Sequence, residues 1–332
     1  MASKTQALIL LLLALLLLTH STFSHGCPIV TYWGQNKNET ELNTTCATSK
    51  YEIVNIAFMN TFGSGRTPKI DLSGHCDWST GVANCTGYYS QIAYCQSLGV
   101  KIFLSLGGAS GQYSLSSAED AKEFAGHLWT YYLSGQSSGL LGLVALDGID
   151  FDIEQAGGNL YWDDLAKELH AYSQLKKFYL SAAPQCPIPD DSLNTAIETQ
   201  VFDYIWVQFY NNPPCEYTDD GDTQKLINSW DQWTTDFTAT KFYVGLPASP
   251  AANGSAGGYV PIDVLNNEIL PVAETNPKFG GVMLWSRYYD YQSGYSDQIV
   301  CTTPGAFNVV GAPLVAMMKS ASEVLYRLLS QF

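Results

Sequence analysis

The sequence predicts an α/β fold, a single (β/α)8 TIM barrel. Three observations predict it: short β-rich runs recur along all 332 residues, stretches of helical spacing separate most of them, and no Pro- or Gly-rich linker divides the chain. Ile29 to Trp33 opens the series with β-branched and aromatic residues, and Ile53 to Met59 and Lys101 to Leu106 follow. Gly148 to Glu154 alternates acid with apolar residues. Phe178 to Ala183, Tyr204 to Tyr210, Lys241 to Leu246 and Gly281 to Trp285 complete the set. Ala118 to Leu133 and Trp162 to Gln174 carry apolar residues at helical spacing between these runs. Strands joined by helical crossovers must pair in parallel, and a closed parallel sheet leaves no exposed edge. No internal repeat interrupts this pattern.

The ends of the chain indicate where it works. After Lys4, an unbroken apolar run from Ala7 to Leu18 leads into small and polar residues, the layout of a secretory signal peptide and too short for a membrane span. Residues 1–24 are therefore expected to be removed, with Thr22 and Ser24 as the small residues near the cut. About 308 residues remain, a length that allows two domains but is also the usual size of one barrel. The barrel is expected to span residues 25–301, and the mature chain to be soluble.

Composition is that of an ordinary globular protein, 46% hydrophobic and 13% aromatic, enough for a sizeable core. The formal charge of -15 becomes -16 if Lys4 leaves, because the 31 acidic residues all lie beyond the signal. Such a field repels nucleic acid and anionic membranes, and neither is an expected partner. A monomer is expected. Eight cysteines in a secreted chain make disulfides the default, and their even number leaves no thiol that must be reactive. Cys76 and Cys85 would close a tight local loop, and Cys186 and Cys215 flank two consecutive strands; spacing does not fix the connectivity. Glycosylation sequons at Asn38, Asn43, Asn84 and Asn253 fit the same compartment and point to surface loops. The sequon at Asn84 contains Cys85, so glycan addition there competes with local disulfide formation.

The strongest chemical signal is Asp147-Gly148-Ile149-Asp150-Phe151-Asp152-Ile153-Glu154. On a strand of period two, Asp150, Asp152 and Glu154 share one face while Ile149, Phe151 and Ile153 share the other. Like charges at that spacing repel, and burial costs each of them unless it takes up a proton or finds partners. At least one member is therefore expected to have a raised pKa, and a protonated carboxyl beside an ionised one is equipment for general acid catalysis. The bland alternative, a solvated or calcium-binding acidic strand, fits poorly with the apolar residues that flank and alternate with the acids. Asp147 has the opposite parity and reads as structural.

In a barrel, chemistry gathers at the C-terminal ends of the strands. Those ends carry Gln35 and Asn36, Asn60, Gly107 and Gly108, Glu154, Pro184 and Gln185, Gln208 with Tyr210 and Asn211, and Trp285. A polar mouth with an aromatic floor suits a carbohydrate, whose hydroxyls need hydrogen-bond partners and whose ring faces stack on Trp or Tyr. Taken singly, each of these residues reads equally well as structural; Trp285 alone would be core filling. Their coincidence at several strand ends is the signal.

Six motifs carry a family resemblance: Tyr32-Trp33-Gly34-Gln35-Asn36, Ser105-Leu106-Gly107-Gly108, the acid motif from Asp147 to Glu154, Ala182-Ala183-Pro184-Gln185-Cys186-Pro187, the stretch from Trp206 to Cys215, and Gly281-Val282-Met283-Leu284-Trp285-Ser286. Together they resemble the plant class III chitinases, the hevamine-like members of glycoside hydrolase family 18, over about Ile29 to Tyr295. The resemblance implies an endochitinase that hydrolyses β-1,4 N-acetylglucosamine linkages with retention, a role in defence, and no required cofactor. It places Glu154 as the general acid, Asp152 as the acceptor for the substrate acetamido N–H, Tyr210 as donor to the acetamido carbonyl, and Asp150 as the partner that shares a proton with Asp152. Gln35, Asn60, Gln208, Asn211 and Trp285 become sugar-contacting residues, with Trp285 as the floor. The partner implied is chitin or N-acetylglucosamine oligosaccharide, in an extracellular or vacuolar setting; the resemblance leaves open whether peptidoglycan is also cut. Family pairing implies disulfides Cys46 with Cys95, Cys76 with Cys85 and Cys186 with Cys215. Cys27 and Cys301 lie outside that pattern, and a fourth bridge between them, tying the barrel ends, is the expectation.

Two positions depart from the resemblance. Gln155 follows the acid where the family carries His, and residues 302–332 extend beyond the family's end. In that extension Val315, Met318, Ala321, Val324 and Leu328 have the spacing of an amphipathic helix, and a sorting propeptide fits equally. The fold also hosts relatives that act as lectins or glycosidase inhibitors after losing catalytic acids, whereas this chain keeps Asp150, Asp152, Glu154 and Tyr210. A second class of function follows from the charge: an acidic seed or storage protein holding Ca2+ weakly, with Glu216, Asp219, Asp220 and Asp222 as the densest acid cluster outside the active strand. That cluster lacks EF-hand spacing, so any bound ion would be superficial.

Overall fold

In a computed structural model the residues described are 27–77, 84–155, 160–218, 220–252 and 257–301. The expected signal segment, Asp219, the Asn253 sequon and the extension from Thr302 lie outside the described residues. Eight parallel strands form the barrel: β1 (Ile29–Trp33), β2 (Ile53–Phe62), β3 (Lys101–Gly108), β4 (Gly148–Ile153), β5 (Tyr179–Ala182), β6 (Tyr204–Gln208), β7 (Lys241–Pro247) and β8 (Phe279–Trp285). Each pairs with its neighbours in chain order, and β1 closes the ring by pairing with both β2 and β8. Two further strands of two residues each, Lys69–Ile70 and Gln112–Tyr113, pair with the end of β2 and carry no sequence signal of their own.

Helices follow the strands: α1 (Leu42–Ala47), α2 (Tyr88–Ser97), α3 (Ala118–Leu128), α4 (Trp162–Ser173), α5 (Asn194–Ile197), α6 (Gln224–Asp236), a composite α7 across residues 262–273, and α8 (Arg287–Ser293). The helical spacing expected up to Leu133 is met by α3 and a π-turn, Trp129–Leu133, that continues it. α3 starts where it does because Ser117 accepts from the Asp120 backbone N–H, and Glu119 and Asp120 lie at the positive end of its dipole.

The strands are buried on both faces, which explains their near-continuous apolar reading. Inside the ring, Val30, Tyr32, Ile53, Phe103, Trp206, Tyr243 and Met283 pack as one cluster. Outside it a larger cluster joins strand and helix faces, including Ile149, Phe151, Leu165, Leu169, Trp230 and Trp233. Fully burying a side chain of this kind contributes roughly 1.5–3 kcal/mol, so the barrel is built from many such terms.

Four disulfides join Cys27 to Cys301, Cys46 to Cys95, Cys76 to Cys85 and Cys186 to Cys215. Cys27–Cys301 spans 274 residues and ties the segment before β1 to the segment after α8. Replacing both cysteines by Ser should therefore destabilise the barrel by about 2–5 kcal/mol, because the unfolded chain gains entropy. Denaturant unfolding of the double variant checks this; an unchanged midpoint would contradict it.

Candidate active site

β4 supplies the acids. Ile149, Phe151 and Ile153 point outward into the strand–helix core, and Asp150 and Asp152 point into the barrel. Register places Ser105 of β3, Asp150 of β4 and Ser181 of β5 on one rung. Ser105 Oγ donates to Asp150 Oδ2 at 2.6 Å, Ser181 Oγ to Oδ1 at 2.8 Å, and Tyr32 hydroxyl to Oδ2 at 3.0 Å. Trp206 Nε1 in turn donates to the Tyr32 oxygen at 2.9 Å. Asp150 is fully buried; burial raises its carboxyl to about 6, and the Ser and Tyr donors oppose that rise.

Asp152 lies one rung higher. Gln208 Nε2 donates to its Oδ1 at 2.9 Å and also to the Ala183 carbonyl at 2.9 Å, which fixes the amide. Burial, followed by the charges of Glu154 and Asp150, pushes the Asp152 carboxyl well above the usual range. Glu154 sits just past the end of β4 and is also raised by burial, while hydrogen bonds to Asp152 and Gln208 act the other way. The Glu154 charge adds to the rise at Asp152, so the pair favours holding one proton between them. Close approach of β3 to this pair depends on Gly107, which adopts φ +105° and whose Cβ would lie 2.3 Å from the Asp152 carbonyl oxygen.

Tyr113 is a residue that strand patterning misses. Its hydroxyl donates to the Gly108 carbonyl at 2.6 Å and accepts from the backbone N–H groups of Glu154 and Gln155, each at 3.2 Å. The ring stacks on Phe62 at 5.4 Å, so the clamp is rigid. Tyr113→Phe should lower kcat about tenfold with little change in KM, and lower the thermal midpoint by roughly a few degrees, since it loosens the acid's backbone and leaves three backbone groups without this partner. Steady-state kinetics and a melting curve test this; unchanged kcat would remove Tyr113 from the site. The convergence of Ser105, Ser181, Tyr32 and Trp206 around Asp150 was equally hidden, because each comes from a different strand.

Tyr210 follows β6 and is buried. Burial, then the charges of Asp152, Glu154 and Asp150, holds its phenol well above 10, so it stays a donor. Gly258 packs directly on it: at φ +100° a Cβ there would lie 2.4 Å from the Tyr210 Cα. Trp285 stacks on Phe58 at 5.9 Å and tilts against Tyr32 at 5.5 Å, partly exposed at the mouth. Gln35 uses Nε2 on the carbonyls of Ala57 at 2.7 Å and Asp71 at 3.2 Å, so it also braces the β1 end. Asn60 lies partly exposed near the end of β2, and Asn211 is exposed with φ 60°, its N–H on the Gly257 carbonyl at 3.2 Å. Gln155 donates through Nε2 to the Gly111 carbonyl at 2.9 Å.

Among the described residues, the other acids of the predicted cluster take separate partners. Glu216 is buried and accepts the Asn212 N–H at 2.6 Å, shaping the turn after β6. Asp220 accepts from Thr218 Oγ1 at 2.5 Å, and Asp222 accepts from the Gln224 N–H at 2.8 Å. Among the described residues, no group of three or more His, Cys, Asp or Glu side chains is placed to hold a metal ion. Asp147 accepts from the Ile102 N–H at 2.8 Å and from Gln96 at 3.0 Å, bracing the start of β4 from outside the barrel. The sequon residues Asn38 and Asn84 are exposed and Asn43 is partly exposed.

A carboxyl pair with raised pKa values, Asp152 buried and Glu154 partly exposed, near a protonated phenol and an aromatic floor, can protonate a bridging oxygen while holding a neighbouring amide. The profile of glycosyl hydrolases family 18 matches residues 28–261. The chain belongs to glycosyl hydrolase family 18. An acidic endochitinase of Vitis vinifera is 51% identical over 296 residues, 88% of this chain and 96% of that one. Among solved structures, the family 18 fold of this chain is similar to the ICChI chitinase of Ipomoea carnea, with 46% identity, TM-score 0.76, and coverage of 82% of this chain and 98% of that one. A xylanase and α-amylase inhibitor protein from Scadoxus multiflorus is also similar, at 41% identity and TM-score 0.77, with the same two coverages. Family 18 membership therefore fixes the fold, and the acids decide between hydrolase and non-enzyme.

Proposed function

We propose that this chain is an endochitinase, cutting β-1,4 N-acetylglucosamine polymers with retention of the anomeric configuration through the substrate's own acetamido group. The observation that carries the reading is Asp152, buried in the barrel and held by Gln208 Nε2 at 2.9 Å, with Glu154 next on the same face of the chain and Tyr210 buried just past β6. Glu154 gives its proton to the glycosidic oxygen as the bond from C1 to that oxygen breaks. The acetamido carbonyl oxygen attacks C1, forming an oxazolinium ring. Asp152 turns to accept the acetamido N–H and balances the charge that develops there, and Tyr210 donates to the acetamido oxygen. Glu154, now ionised, takes a proton from water as that water opens the ring at C1, and the original configuration returns. Every step uses side chains of this chain and the substrate itself.

Proton NMR of the first products tests this: the β-anomer should appear first, and an α-anomer first would overturn it. The raised carboxyl of Glu154 has a kinetic consequence. Its proton is needed for the first step, so the alkaline limb of kcat should lie above the ordinary Glu range. A pH–rate profile that falls off within the ordinary range would contradict the burial argument.

Asp150 supports Asp152 by keeping one proton available between them as Asp152 changes partners. Gln35, Asn60, Gln208, Asn211 and Trp285 would line the sugar path, with Trp285 under the ring whose bond is cut. We place the mature protein, residues 25–301 with or without its extension, as a secreted monomer in the extracellular space or vacuole, where chitin fragments of an invader are met.

A further inference from the structure

We propose that the outer wall of the barrel between α2 and α3 is a second binding face for chitin, where an uncharged polysaccharide chain stacks on Tyr89 and Tyr94. This rests on the chitinase reading and places polymer outside the cleft. The wall is a gap in an acidic surface. The chain carries a formal charge of -15, yet no Asp, Glu, Lys or Arg stands between Asp77 and Lys101, nor between His127 and Asp147. The described parts of these two stretches meet in the fold. At Gly142 a Cβ would lie 2.9 Å from the Tyr89 Cβ, and Gln96 Nε2 donates to the Ala145 carbonyl at 2.9 Å. Gly139 packs as closely on Tyr131, where a Cβ would lie 3.1 Å from the Tyr131 Cβ. His127 packs against the Tyr131 ring at 4.7 Å, and burial pushes its pKa down, so it adds no charge.

α2 buries Tyr88, Ile92 and Cys95 and turns its other face to solvent. Tyr89, Tyr94, Tyr131 and Leu143 are 37–49% exposed, so each has one side fixed by packing and one side open. Ser90, Ala93 and Ser97, all exposed, lie between the two α2 tyrosines on the helix surface and are too small to cover their rings. Disulfides Cys76–Cys85 and Cys46–Cys95 hold α2 at its start and near its end, which keeps the face rigid. Carboxylates border the face with partners of their own: Glu41 accepts from Gln91 Nε2 at 2.9 Å, and Asp147 from Gln96 Nε2 at 3.0 Å. A neutral face on so acidic a protein matches an uncharged partner, whereas a second copy of the chain would bring its own charge of -15 and be repelled. Chitin is uncharged, its sugar rings offer C–H faces to Tyr, and its hydroxyl and acetamido groups pair with Tyr and Ser hydroxyls. A polymer held in the cleft and on the wall at once binds more tightly than through either alone, and cleavage of a short soluble oligomer needs only the cleft.

The test is adsorption of the protein to chitin powder on ice, read beside hydrolysis of a soluble N-acetylglucosamine tetramer. Tyr89→Ala combined with Tyr94→Ala should weaken adsorption about fivefold to tenfold, and Ala93→Glu, which removes no packing, by about the same factor, while kcat/KM on the tetramer stays within about twofold of wild type. Unchanged adsorption of either variant overturns the proposal, and so does an equal loss on the tetramer, which would make the tyrosines supports of the fold. Wild type that sediments as a dimer and is dissociated by Ala93→Glu would assign the face to a second copy. Adsorption that appears only after N-glycans are removed would assign it to a glycan on the exposed Asn84. Either result overturns the proposal. Should the tyrosine pair fail to fold, Ala93→Glu decides alone. Wild type that leaves the tetramer intact yet adsorbs through these residues would instead overturn the chitinase reading and support the binding face, which separates the two failures.

Discussion

Glu154→Gln should lower the release of soluble sugar from colloidal chitin by about a thousandfold or more, with binding of oligosaccharide retained. The amide keeps the shape of the side chain and can still meet Asp152 and Gln208, so packing at the end of β4 should survive. What it lacks is a proton to give to the leaving oxygen and a base to receive one from water. Both half-reactions lose their acid–base group, and the loss therefore falls on kcat. Activity of the variant above about a tenth of wild type would exclude Glu154 as the acid. If wild type and variant are equally inactive but both bind oligosaccharide, the chain keeps the fold and the acids for binding rather than cleavage.

Asp150→Asn should remove a pH dependence of stability amounting to about 3 kcal/mol. The native carboxyl is raised by burial to about 6, against roughly 4 in the unfolded chain, and two units correspond to about 3 kcal/mol. A raised carboxyl means that the native state binds the extra proton between those values. Its contribution is present in full below pH ~4 and is lost as pH rises through ~6. Wild type should lose stability relative to Asp150→Asn across that window and run parallel to it on either side. Denaturant unfolding at several pH values measures the difference directly; a difference between the two proteins that does not change with pH anywhere in that window would show that Asp150 does not titrate as its burial requires. Asn cannot accept all three hydroxyl donors as a carboxylate does, so a constant offset is expected as well, and only the slope speaks to the proton.

Alternation at Asp150, Asp152 and Glu154 is a local property of one strand, and it was fully legible. So were the outward apolar face of Ile149, Phe151 and Ile153 and the helical stretches at Ala118 and Trp162. Strand ends were less so: β3 runs on to Gly108 and β2 to Phe62, because pairing with neighbours extends them beyond their β-rich runs. The acid cluster at Glu216 illustrates the opposite limit. By sequence it is a charged loop beside Asp220 and Asp222, yet Glu216 turns inward to the Asn212 N–H, and Gly257 packs so closely that a Cβ there would lie 2.1 Å from Glu216 Oε1. A one-dimensional count of acids cannot tell a buried brace from a solvated loop.

The sequence by itself determined the periodicities: which segments are strands, which face of β4 is acidic, and that the cysteines have partners available. It determined these because each depends on residues a few positions apart. The tertiary structure alone decided what surrounds the acids. Tyr32, Ser105, Ser181 and Trp206 converge around Asp150 only after the ring closes with one register, and Tyr113 reaches Glu154 across 41 positions of chain. Proton sharing and raised carboxyls follow from burial and from those distant donors, and both are properties of the closed barrel rather than of any single strand.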